Sequence, residues 1–167
     1  LELSLIEFRI RYLGSLFGPL WAFILPIIST FVIYLAFHLG LRSDSVDGVP
    51  FFVFLTCGLL PWTFFSETTS AAALSVIEKS YLVKKMVFRV DQLPLIKIAS
   101  HLPILLFFNI LMASVAISYG YTPHWSWLQF IYYDIALVGF VVGISWFTAS
   151  VTVFVRDIKN VIGLLLQ

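Results

Sequence analysis

Charge is scarce in this chain. Only 11% of its 167 residues are Asp, Glu, Lys or Arg, against roughly 25% in a soluble domain. Cys57 is the single cysteine, which excludes an internal disulfide and a cysteine-based metal site. His38, His101 and His124 are scattered, with no second ligand at metal spacing. No Gly-x-x-x-x-Gly-Lys-Ser/Thr occurs, and none of the five lysines follows a glycine. The chain therefore builds no P-loop and hydrolyses no nucleotide by that route. No Ser/His/acid set can be named from spacing alone. Extended polar linkers, fixed-period repeats and low-complexity tracts are also missing, so the chain reads as a single domain and not as an enzyme.

Apolar residues fill the space that charge leaves. The chain is 60% hydrophobic and 17% aromatic. Disorder needs polarity, so these numbers exclude it. A fold of 19.0 kDa has too little interior to hide so much apolar surface from water. The expected class is an all-α integral membrane protein, polytopic and helical, in one transmembrane domain covering residues 1–167.

A span needs about 20 mostly apolar residues. Four stretches qualify: 20–37, 49–77, 93–118 and 124–155. Before them, Leu5, Phe8, Tyr12, Leu13 and Leu16 recur at helical spacing among Glu2, Glu7, Arg9 and Arg11. Residues 1–19 are thus expected to form an amphipathic helix, lying in the membrane interface or packed on the rest of the protein. A cleavable signal peptide would have a compact apolar block instead. Gly18-Pro19 then turns the chain into the first span. After Lys159-Asn160 an apolar run restarts as VIGLLLQ. Those residues cannot cross a core of roughly 30 Å, so a fifth segment, C-terminally incomplete here, is expected.

Lysine and arginine near spans favour the cytoplasmic side. Arg9, Arg11, Lys79, Lys84, Lys85, Arg89, Lys97, Arg156 and Lys159 all fall in alternate connections, and Arg42 alone falls in the others. This nine-to-one sorting assigns the N-terminus, the 78–97 connection and the 156–160 connection to the cytoplasm.

Several features admit two readings. Glu67 and Asp134 are the acids inside apolar runs, where ionised groups cost several kcal/mol and are commonly functional. They would serve a proton- or ion-coupled carrier or channel. Alternatively, Asp134 lies near the outer interface, and Glu67 marks where the second span ends and a shorter helix begins. Trp21, Trp62, Tyr121, Trp125 and Trp127 suit interface anchoring. Trp21, Phe31 and Tyr34 could instead face a conduit for a sugar chain. Gly139 and Gly143 form a Gly-x-x-x-Gly pair that permits close helix packing. Pro26, Pro61 and Pro103 are expected to break or bend three spans. The connection EKSYLVKKMVFRVDQLP is short, basic and partly amphipathic. It suits docking in a groove of a cytosolic partner, or contact with anionic lipid.

Four blocks occur together in order: YLGSLFGPLWAFILPI, VPFFVFLTCGLLPWTFFSE, EKSYLVKKMVFRVDQLPL and VFVRDIKNVIGLLLQ. Their combination resembles the membrane subunits of type 2 ABC exporters for polysaccharides, the O-antigen, capsule and teichoic acid permeases. The resemblance implies an interfacial helix and six spans, of which this sequence holds four and the start of a fifth. It implies a homodimer in the bacterial inner membrane, joined to two cytosolic ATPase subunits. Those subunits would bind ATP and Mg, leaving no cofactor in this chain and no role for nucleic acid. The implied cargo is an undecaprenyl-diphosphate-linked glycan. By the same resemblance, residues 78–92 are the coupling segment, with Glu78, Tyr81, Leu82, Lys84, Lys85 and Met86 seated in the ATPase cleft. The segment around Arg9 to Gly18 is a second cytosolic contact. Arg9, Arg11 and Arg89 would attract the lipid diphosphate at the cytosolic entrance.

Overall fold

A computed structural model describes residues 18–41, 45–46, 48–78, 92–155 and 158–166. A 3-10 turn at Gly18–Leu20 leads into α1 (Trp21–Leu41). Strands β1 (Ser45–Val46) and β2 (Val49–Pro50) pair antiparallel as a minimal hairpin. Helix α2 (Phe51–Glu78) and helix α3 (Gln92–Ser118) follow. A second 3-10 turn, Trp125–Leu128, opens α4 (Gln129–Phe154), and α5 (Ile158–Leu165) comes last.

The four long helices are apolar and long enough to cross a membrane. At about 1.5 Å per residue, the 28-residue α2 spans roughly 42 Å, more than a hydrocarbon core of roughly 30 Å. The fold is the expected all-α polytopic bundle, with local differences at the ends. The first helix runs to Leu41, four residues past the expected end, because His38-Leu39-Gly40-Leu41 contains no proline and no strong turn signal. Val49-Pro50 belong to the hairpin rather than to the second span. Gly48 sits in that hairpin at φ +81°, a conformation side chains with a Cβ resist.

Helix α2 is the hub, packed chiefly against α3 and α4, while α1 leans on α2 more lightly. Leu60, Phe64 and Ala72 of α2 form a buried cluster with Ile104, Leu105, Phe108 and Met112 of α3 and Val141 of α4. Phe23 meets Phe107 edge-on at 4.7 Å, joining α1 to α3. The outer faces stay apolar and bare: Leu39 is 75% exposed, Ile135 69%, Phe147 70% and Phe154 87%. Contiguous apolar surface on that scale is foreign to a soluble monomer and ordinary against lipid tails.

The prolines do not break the spans, and the glycine pair packs no helices together within the described bundle. Pro26, Pro61 and Pro103 all lie inside continuous helices. Each deletes one backbone donor, yet the flanking turns keep their own bonds and the neighbouring helices hold the rod together. At Gly139 and Gly143 an added Cβ would meet nothing within 4 Å. The pair faces away from the described bundle and mediates no close approach inside it.

Candidate functional site

The polar groups gather at two levels of the bundle. The first lies where α2 ends and α3 begins. Glu78 closes α2, and its carboxylate meets Lys97 Nζ at 3.0 Å. The Lys97 head is mostly sheltered and the Glu78 carboxylate half-exposed. The Lys97 carbonyl accepts Ser100 Oγ at 2.7 Å, and His101 Nδ1 lies 2.7 Å from the same oxygen. These bonds tighten the first turns of α3, where Pro94 at the third position leaves the helix intact because early N–H groups need no intrahelical acceptor. The ion pair thus ties together the two helices that flank the basic 79–91 connection. Of the expected coupling set, Glu78 falls among the described residues. Tyr81, Leu82, Lys84, Lys85 and Met86 lie outside them, as do Arg9, Arg11 and Arg89.

The second level lies nearer the hairpin end. Asn109 Nδ2 donates to Asp134 Oδ2 at 2.9 Å, bridging α3 and α4. Beside this pair is a cleft of about 320 Å³ whose apolar walls come from Pro61, Met112 and Leu137. Cys57, Phe130 and Tyr133 complete its lining. Asp134 therefore sits five residues into α4, toward that end of the bundle. Asn109 was not anticipated. Its signal was a lone amide in the apolar run LLFFNILM, a residue type that seeks a partner at membrane depth.

Glu67 does not line the cleft. Helix α2 runs through it without interruption to Glu78, so it does not mark a helix end. The two acids are consequently not assembled into one site.

Phe31 and Tyr34 come together and Trp21 does not join them. Tyr34 stacks on His38 at 5.4 Å and meets Phe52 edge-on at 4.9 Å. Phe31 lies 6.5 Å from Tyr34, centroid to centroid, and is half-exposed. Trp21 opens the helix, thirteen residues earlier, about 20 Å along its axis and turned about 140° from Tyr34. Among the described residues no group of three or more His, Cys, Asp or Glu side chains could hold a metal ion.

A bundle of four apolar spans, bare on its outer faces and linked through a basic connection, defines an integral membrane subunit. Residues 3–167 match the family described as ABC-2 type transporter, and the chain belongs to that family. It is 29% identical over 160 residues to an O-antigen export system permease protein RfbA of Myxococcus xanthus, covering 96% of this chain and 60% of the relative. It is 30% identical over 160 residues to an O-antigen export system permease protein RfbA of Klebsiella pneumoniae, at 95% and 60% coverage. The chain thus spans about three fifths of the length of these relatives.

Proposed function

We propose that this chain is the transmembrane subunit of an ATP-driven exporter of a lipid-linked polysaccharide. Membership of the ABC-2 family over nearly the whole chain is the observation that carries this reading. The relatives' O-antigen export favours an undecaprenyl-diphosphate-linked glycan of that type as cargo. Two copies form the conduit, and two separate ATPase subunits supply the work. This chain contributes no hydrolytic group. The nine-to-one sorting of lysine and arginine favours a cytoplasmic N-terminus and a cytoplasmic 78–97 connection. Residues 78–92 then form the coupling segment, with Tyr81, Leu82, Lys84, Lys85 and Met86 as its contact surface on the ATPase. Arg9, Arg11 and Arg89 gather the lipid diphosphate at the entrance.

The Glu78–Lys97 ion pair supports the coupling role physically. A push on the connection reaches α2 and α3 as one unit if their ends are tied, and the tie is 3.0 Å long. The half-exposed Phe31 ring, backed by Tyr34, offers a surface for weak, repeated contacts with a sliding sugar chain.

The test is export together with ATP hydrolysis in the full transporter carrying Lys84→Glu and Lys85→Glu. The expected outcome is a permease that stays in the membrane with its ATPase active and export lost. Normal export would contradict the coupling assignment. The same transporter with Glu67→Gln should export normally at saturating ATP. ATP-independent transport that this change abolishes would favour an ion-coupled carrier instead.

A further inference from the structure

The cleft between α2, α3 and α4 has an unusual polar inventory. Asn109 Nδ2 donates to the Leu105 carbonyl at 3.0 Å and to Asp134 Oδ2 at 2.9 Å. Both partners are acceptors, so the amide nitrogen must lie between them and both its N–H groups are spent. No donor among the described residues reaches Asn109 Oδ1 or the second oxygen of Asp134, and no Lys, Arg or His there pairs with the carboxylate. The site thus presents acceptors and a negative charge against apolar walls. An uncompensated carboxylate in such surroundings is costly.

A primary ammonium group answers each of these features. It brings the missing positive charge and three N–H donors. The rings of Phe130 and Tyr133, which line the cleft, attract a cation through their faces. The volume of about 320 Å³ is at the small end of ligand pockets, room for one headgroup and too little for a polymer. The cleft also lies at membrane depth. Asn109 is nine residues before the end of α3 and Asp134 five after the start of α4, so it sits about 8–14 Å below those helix ends. Its rim residue Tyr133 is 63% exposed to the surroundings of the bundle. We infer that this cleft binds a primary ammonium group, that of an aminophospholipid headgroup from the surrounding bilayer.

The inference does not depend on the cargo and is tested separately from export. The full-length permease with its ATPase is placed in bilayer discs of phosphatidylethanolamine, phosphatidylcholine and phosphatidylglycerol in equal amounts, and the lipid that stays bound is weighed by native mass spectrometry. The wild type should retain phosphatidylethanolamine in preference. Asp134→Asn, which keeps the partner for Asn109 and removes the charge, should lower that retention about tenfold, the loss of one charge-assisted hydrogen bond. Cys57→Trp fills the cleft from its rim, leaves the charge in place and should lose the lipid too. It carries the test if Asp134→Asn fails to insert. Displacement of the bound lipid by free ethanolamine, but not by choline, would support the primary ammonium chemistry. Equal retention of phosphatidylcholine would overturn it, because a quaternary ammonium has no N–H to give. Undiminished retention in both variants would also overturn it. Binding of free ethanolamine with no preference among lipids would overturn the lipid as its source.

Discussion

The role proposed for the Glu78–Lys97 contact requires little energy. An ion pair this exposed is worth about 1 kcal/mol or less. Its value is geometric, because it joins the last residue of α2 to the second turn of α3. Glu78→Lys or Lys97→Glu alone should slow export while basal ATP hydrolysis continues, and the double exchange should restore export by reversing the pair. A double exchange no better than either single change would show that the tie is not used. Gly120 matters for a different reason. Tyr121 N–H reaches the Ala116 carbonyl at 3.1 Å and Gly120 N–H the Ile117 carbonyl at 2.9 Å, closing α3 with Gly120 at φ +89°. Gly120→Val forces a branched side chain into that left-handed conformation and should cost about 1–2 kcal/mol in thermal unfolding.

At the scale of elements, α2 carries the bundle. Phe64 is 1% exposed and joins a cluster shared with α3 and α4. Phe64→Ala should destabilise by about 3–5 kcal/mol, read from unfolding in detergent. The same helix holds Thr68 and Thr69, and α4 holds Ser145. All three hydroxyls are buried with no hydrogen-bond partner among the described residues. Thr68→Val keeps the shape and removes an unsatisfied hydroxyl, so stability should be unchanged or higher in the same assay. The spans themselves were legible in the sequence, because length and hydropathy are all that a bilayer requires of a helix. What those rules cannot see is which face turns inward. Gly139 and Gly143 match a packing motif, yet that face is bare in the described bundle. Asp134 was conspicuous in the sequence, whereas its partner Asn109 lies 25 residues away on another helix, a pairing only the packing of α3 against α4 creates. Pro26, Pro61 and Pro103 look like breaks on paper because sequence rules weigh the lost hydrogen bond and not the flanking turns and neighbours that keep each helix continuous.

For the whole molecule, the apolar outer faces point to a lipid surrounding, and the proposed sidedness rests on the sorting of the basic residues. The hairpin end of the bundle, with the Asn109–Asp134 pair beneath it, is opposite the end carrying Glu78 and Lys97. Exporter function requires the second end to face the cytosol, where a motor can grip the connection between α2 and α3. The direct measurement is thiol accessibility in intact spheroplasts, in a Cys57→Ala background of the full-length transporter. Lys84→Cys should resist a membrane-impermeant maleimide until the membrane is opened, while Ser45→Cys in the hairpin should be labelled at once. Labelling of Lys84→Cys in sealed cells would place the basic connection outside and contradict the account.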